Sequence, residues 1–124
     1  MRELKFRAWD KTQNKYIIPQ RLALDDDGAL DFYIYNSGGY ALECFIVEQY
    51  TGLKDKNDKE IYIGDIVSEH QGDIVGEIVQ KPSGEYHISW VGIFGGEPVL
   101  YDHLSLCEVI GNIHENPELI EKER

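Results

Sequence analysis

Apolar residues recur at every second position along much of the chain, the spacing at which alternate side chains share one face of a β-strand. Leu4, Phe6 and Ala8 fall on one face of a first strand, with Lys5, Arg7 and Trp9 on the other. Leu30, Phe32 and Ile34 repeat the pattern opposite Tyr33 and Tyr35, and Tyr86, Ile88 and Trp90 stand against His87, Ser89 and Val91. These segments read as half-buried antiparallel strands. Ile74, Gly76 and Ile78 alternate with Val75, Glu77 and Val79 in a strand suited to burial on both faces, with Gly76 allowing the sharp bend that small barrels need.

Turn-forming clusters separate the strands at residues 10–14, 25–28, 36–39, 56–59, 71–73, 81–84 and 95–96. A turn roughly every eight to twelve residues is an all-β rhythm. One helix is expected at the end, over residues 116–122 and about two turns long: Asn116 suits an N-cap, Pro117 the first helical position, and Glu118 the positive end of the helix. Residues 40–49 have helical spacing at 41, 42, 45 and 46 but β-branched and aromatic content, so helix and strand both stand. Gly64-Asp65-Ile66-Val67 recurs as Gly72-Asp73-Ile74-Val75, which reads as two adjacent strands of one hairpin rather than a repeat architecture.

The chain has 124 residues, 42% of them hydrophobic, with eight Tyr, four Phe and two Trp to fill a core. The formal net charge is −11, which argues against a general grip on phosphate backbones or anionic lipid. The charge is unevenly placed: residues 1–24 carry six basic and two acidic side chains, and residues 61–116 one basic and nine acidic. Two cysteines, Cys44 and Cys107, no secretory signal and no long apolar run point to a reducing cytoplasm with both thiols in the core.

Local chemistry is sparse. His70, His87, His103 and His114 lack metal-site spacing, and no C-x-x-C motif occurs. The stretch from Asp55 has Lys59, Glu60 and Ile66 where a calcium loop needs an oxygen ligand, glycine and glutamate, so it reads as a solvated hairpin turn. Asp25-Asp26-Asp27-Gly28 reads as a tight turn too. No catalytic set, metal site or cofactor is expected. Asp102 and His103 are neighbours that a strand would point apart, and they read as a surface loop after Pro98. What remains is a binding surface: Arg7 and Trp9 project from one face of the first strand, and Tyr50 is a further exposed aromatic candidate. Trp9 alternatively completes a junction between the N-terminal part and the rest.

Three segments are more specific than these patterns. Residues 5–11 (Lys-Phe-Arg-Ala-Trp-Asp-Lys), 49–67 (from Gln-Tyr-Thr-Gly-Leu to Gly-Asp-Ile-Val) and 108–119 (Glu-Val-Ile-Gly-Asn-Ile-His-Glu-Asn-Pro-Glu-Leu) together resemble the YopX family of phage and prophage proteins. Asp58 stands where that family usually has Gly, a change the turn tolerates because Asp adopts left-handed backbone. The resemblance implies a mainly β fold: a small β-rich N-terminal lobe over residues 1–48, then a C-terminal SH3-like barrel over residues 49–124 with a short terminal helix. It also implies expression inside a bacterial host cell, and it carries over no activity, substrate or catalytic residue. The expected function is a non-catalytic interaction module for a host or phage protein, acting in the cytoplasm with neither nucleic acid nor membrane as partner. The alternatives are an acidic mimic of nucleic acid that inhibits a host protein, and a hydrolase using carboxylates such as Asp65 and Asp102.

Overall fold

The computed structural model describes residues 5–17, 21–24, 30–33, 45–92 and 96–121. In chain order the elements are β1 (Phe6–Asp10), β2 (Lys15–Ile17), β3 (Arg21–Leu24), β4 (Leu30–Tyr33), β5 (Phe45–Lys54), β6 (Glu60–Tyr62), β7 (Asp65–Glu69), β8 (Ile74–Gln80), β9 (Tyr86–Trp90), a 3-10 helix (Leu100–His103), β10 (Glu108–Asn112) and α1 (Glu118–Glu121). The fold is mainly β. Its strands form a sheet of order β2-β1-β5-β6, a second of order β10-β7-β8-β9, and a ribbon β3-β4. Residues Lys5–Glu48 form one compact unit and Gln49–Arg124 another, the boundary falling inside β5.

In the first unit β1 pairs antiparallel with β2, in the register Ala8↔Ile17, Trp9↔Tyr16 and Asp10↔Lys15. The turn between them is set by Asp10, whose buried carboxylate accepts the N–H groups of Thr12 and Gln13 at 2.9 and 3.1 Å, with Asn14 in left-handed backbone. The ribbon β3-β4 runs in the register Arg21↔Tyr33 to Leu24↔Leu30. Phe45 onward is extended, which resolves residues 45–49 as strand: β-branched and aromatic side chains suit a pleated surface better than a helix. Residues 40–44, Cys44 among them, lie outside the described residues, as do the turns at 25–28 and 36–39.

In the second unit Ile61, Val67, Ile78, Tyr86, Ile88, Leu100, Cys107 and Val109 form the core. The echoed segments are indeed neighbours: β7 and β8 pair antiparallel from Ile66↔Glu77 to Glu69↔Ile74. Gly64 and Gly72, which open the two copies, both have positive φ, at 92° and 94°. Tyr86 and Ile88 are buried and His87 and Ser89 half-buried, as the alternation predicts. Gly76 departs from expectation. Its strand keeps register on both sides, with Val67 and with Trp90, and what the site demands is room. A Cβ there would meet Ile88 Cγ2 at 2.7 Å, the Ser89 carbonyl at 2.8 Å and the Trp90 ring at 2.9 Å.

The terminal helix begins two residues later than its sequence signals imply, running over Glu118–Glu121 among the described residues. Asn116 does not use its side chain as an N-cap toward the helix. Its Oδ1 turns back to accept the Asn112 N–H at 3.2 Å, while its main-chain carbonyl accepts from Leu119 at 3.1 Å. The segment after Pro98 is likewise a 3-10 helix rather than an open loop.

Candidate functional site

The residues singled out from sequence as partner anchors are placed as follows. Arg7 and Trp9 do share a face of β1, and both meet Tyr16 on β2. The Arg7 guanidinium lies 4.2 Å from the Tyr16 ring centroid, and Trp9 packs edge-on against that ring at 5.0 Å. Arg7 Nε also pairs with the buried Glu48 carboxylate at 2.9 Å, and the Tyr16 hydroxyl donates to the same oxygen. Trp9 is 6% exposed and Tyr50 4%. The expectation that these two aromatics are exposed is therefore corrected. Each is one half of a cross-strand aromatic pair, Trp9 with Tyr16 and Tyr50 with Tyr62, and such pairs stabilise sheets by covering one another.

The carboxylates named from sequence are also absorbed into the framework. Asp65 is buried and its Oδ2 accepts the Tyr62 N–H at 2.8 Å across the Ile63-Gly64 turn. Asp102 is exposed on the 3-10 helix. Asp55, read as part of a solvated turn, is instead buried and binds three main-chain amides. Oδ1 accepts from Asn57 and Lys59 at 2.8 and 2.9 Å, and Oδ2 from Val109 at 2.8 Å. Asp58, in the family's glycine position, sits at φ 66°, the left-handed backbone expected of it. Among the described residues no group of three or more His, Cys, Asp or Glu side chains is arranged to hold a metal ion.

One pairing was not foreseen. Glu69, buried at the end of β7, lies 2.6 Å from Nδ1 of His103, and the His103 ring meets Trp90 edge-on with centroids 6.0 Å apart. A buried carboxylate fixing an imidazole orients it; here the pair anchors the 3-10 helix to the sheet. Cys107 follows closely, its N–H donating to the His103 carbonyl at 2.9 Å. Burial pushes its thiol up to about 11, and the Asp55 and Glu69 carboxylates add to the effect, so at neutral pH it is a core thiol.

Both edges of the β10-β7-β8-β9 sheet are occupied. Along β10, Lys56 N–H donates to the Cys107 carbonyl, Asp55 takes the Val109 N–H, and Asn116 takes that of Asn112. Along β9, Ile88 and Trp90 donate to the carbonyls of Pro98 and Gly96. Covered edges do not recruit stray strands.

The pattern of the motif segments is thereby explained. Residues 49–67 build β5, β6 and the start of β7, residues 108–119 build β10 and enter α1, and the Asp55 carboxylate bonded to Val109 joins the two. The sequence profile described as YopX protein matches residues 5–121. The chain belongs to the YopX family. The crystal structure of protein EF1440 from Enterococcus faecalis is similar to it, with a TM-score of 0.67 at 26% identity, over 98% of this chain and 100% of that one. Comparison with curated proteins gives no match.

In this YopX-family chain the accessible apolar side chains lie elsewhere than on β1. Among the described residues the large exposed hydrophobics are Ile46 at 38%, Tyr101 at 69%, Leu106 at 53% and Ile110 at 38%. Three of the four fall on the stretch from the 3-10 helix to β10. That stretch lies within residues 82–121, which hold seven carboxylates and no Lys or Arg. Sequence reasoning passed over Tyr101 and Leu106 because the segment lacks strand alternation. The signal that points to them is an aromatic and a leucine in a short connecting segment whose neighbours are acidic. Among the described residues no helix is long and apolar enough to cross a membrane.

Proposed function

We propose that the chain is a non-catalytic interaction module, made from a phage or prophage genome and acting on a host or phage protein in the bacterial cytoplasm. In this reading its C-terminal half is an SH3-like barrel with a short terminal helix, preceded by a small β-rich lobe. The observation that carries the proposal is the exposure of Tyr101 and Leu106 on one connecting stretch between two sheet strands. Large apolar side chains left in water close together along one segment support a contact surface. The partner's surface is apolar at the centre and basic at the rim, complementing Asp102 and Glu108. The test compares tagged wild-type protein with the double variant Tyr101→Ala/Leu106→Ala in affinity purification from infected cells. The proposal expects a stoichiometric partner that the wild type retains and the folded variant loses. Equal recovery with both proteins overturns it.

A second reading, imitation of a nucleic-acid backbone by the acidic surface, is favoured by residues 82–121, with seven carboxylates and no Lys or Arg. It differs in salt dependence. A mimic's complex with a basic protein dissociates as salt rises, because screening shortens to about 3 Å at 1 M, whereas a contact centred on Tyr101 and Leu106 survives.

A further inference from the structure

β9 is the last strand of its sheet, and a short segment, residues 96–99, lies along its outer edge as a surrogate strand. Ile88 N–H donates to the Pro98 carbonyl at 3.0 Å and Trp90 N–H to that of Gly96 at 3.1 Å, with His87 and Val99 forming an isolated antiparallel bridge. In this register a residue at position 98 faces β9 with both its N–H and its C=O. Proline has no N–H, so the ladder at that point is one-sided. The segment needs other fastening, and side chains supply it. His87 Nδ1 lies 2.6 Å from the Glu97 carbonyl oxygen, and Nε2 lies 3.1 Å from Glu85 Oε1. Lys81 pairs with the Glu97 carboxylate.

Both partners of the imidazole are acceptors. A neutral ring has one N–H and serves only one of them, whereas the imidazolium serves both. We propose that His87 is a proton-operated clasp: protonated, it holds residues 96–99 on the edge of β9, and on deprotonation it loosens them and uncovers the N–H groups of Ile88 and Trp90. Uncovered, that edge offers donors to an extended segment of another chain, the geometry of strand addition. This goes beyond the proposed contact at Tyr101 and Leu106 and does not depend on it.

The groups facing His87 act in opposite senses. The main-chain carbonyl of Glu97 in the segment and the Glu85 carboxylate in the β8–β9 turn favour the cation, and Lys81, just past the end of β8, opposes it. The histidine is held above its ordinary 6.5, first by the Glu97 carbonyl and then by the Glu85 carboxylate. A basic group whose affinity for protons rises on folding stabilises the folded form fully below its unfolded value. That contribution is lost as pH rises through the folded value.

The experiment is amide hydrogen exchange by NMR on the full chain at pH 5.5 and 8.5. It is expressed as protection factors, which divide out the intrinsic pH dependence of exchange. Ile88 and Trp90 are the reporters, and Val91, whose N–H donates to the Val75 carbonyl inside the sheet, is the internal control. The expected result is a fall of about threefold or more in protection at Ile88 and Trp90 with Val91 unchanged, and a flat profile in His87→Gln. No fall in the wild type, or the same fall in His87→Gln, overturns the clasp. A second measurement needs no variant: the ¹⁵N shifts of His87 in the wild type should show both ring nitrogens protonated at pH 6. A neutral ring at that pH overturns the proposal equally.

Discussion

The carboxylate of Asp55 and the main-chain amide of Val109 meet at 2.8 Å although 54 residues separate them in sequence. The same side chain closes its own turn by accepting the N–H groups of Asn57 and Lys59. One buried anion thus ties the β5–β6 hairpin to β10, the edge strand of the other sheet. Hydrogen bonds to a charged acceptor are the stronger kind, and removing the acceptor leaves buried donors unmade. Asp55→Ala should therefore lower stability by about 3 kcal/mol, and Asp55→Asn by about half that, since Asn retains one oxygen. Urea unfolding at neutral pH checks the order; an alanine cost below the asparagine cost would contradict it.

The reach of the sequence follows from which interactions are local. Strand alternation marked β1, β8 and β9 as strands, and in β9 it also gave the buried positions Tyr86 and Ile88. β8, expected to be buried on both faces, is buried only at Gly76 and Ile78, and β1, expected to be half-buried, is buried on both faces. The duplicated Gly-Asp-Ile-Val marked the β7–β8 hairpin. The family motifs marked the two ends of the Asp55 tie without revealing it. Trp9 and Tyr50 were misplaced because their cover comes from Tyr16 and Tyr62 across a strand pair, and pairing register is not written in the spacing of one strand. The Glu69–His103 pair and the exposed Tyr101 depend on how a 3-10 helix sits against the sheet, which no local period encodes.

Two glycines need space for different reasons, and alanine substitution separates them. At Gly111 a Cβ would lie 2.4 Å from Asn116 Oδ1, a side-chain atom able to move at the loss of its bond to Asn112 N–H. At Gly76 the obstacle includes the Ser89 carbonyl, which the ladder fixes. Overpacking of this kind costs roughly 1–3 kcal/mol. Gly76→Ala should fall at the upper end, and Gly111→Ala at the lower. In a double-mutant cycle Gly111→Ala and Asn116→Ala should be sub-additive, since each already breaks the Asn112–Asn116 bond. Full additivity in thermal or urea unfolding would show that Asn116 is not what resists the new methyl group.

Cys107 is fully buried, and its thiol is raised to about 11 by burial, then by Asp55 and Glu69. The folded form therefore keeps its proton at a pH where the unfolded thiol has lost it. By linkage, stability is unaffected below about pH 8.5, the ordinary thiol value, and declines as pH rises toward 11. Thiol reagents at pH 8 should modify Cys107 only as fast as the protein opens. Labelling should thus be slow in buffer and rapid in urea, followed by mass spectrometry of the peptide containing Cys107. Rapid labelling under native conditions would mean an accessible thiolate.

Trp9 and Tyr50 are buried while Tyr101 and Leu106 are exposed, and if the proposed contact surface is right, alanine substitutions should sort the two pairs in opposite directions on two measurements. Trp9 and Tyr50 are buried against Tyr16 and Tyr62. Truncating either removes a large side chain and leaves a cavity, at a cost of about 3 kcal/mol or more. Tyr101 and Leu106 are 69% and 53% exposed, so Tyr101→Ala and Leu106→Ala should change stability by no more than about 0.5 kcal/mol. Partner binding should run the other way, falling at least about tenfold for Tyr101→Ala. For Trp9→Ala the loss should be only what its unfolded fraction accounts for. Urea unfolding gives the first quantity and a binding titration the second. If Trp9→Ala remains folded under the binding conditions and abolishes binding, while Tyr101→Ala does not, the contact surface lies on β1 and the assignment to the stretch around Leu106 is wrong.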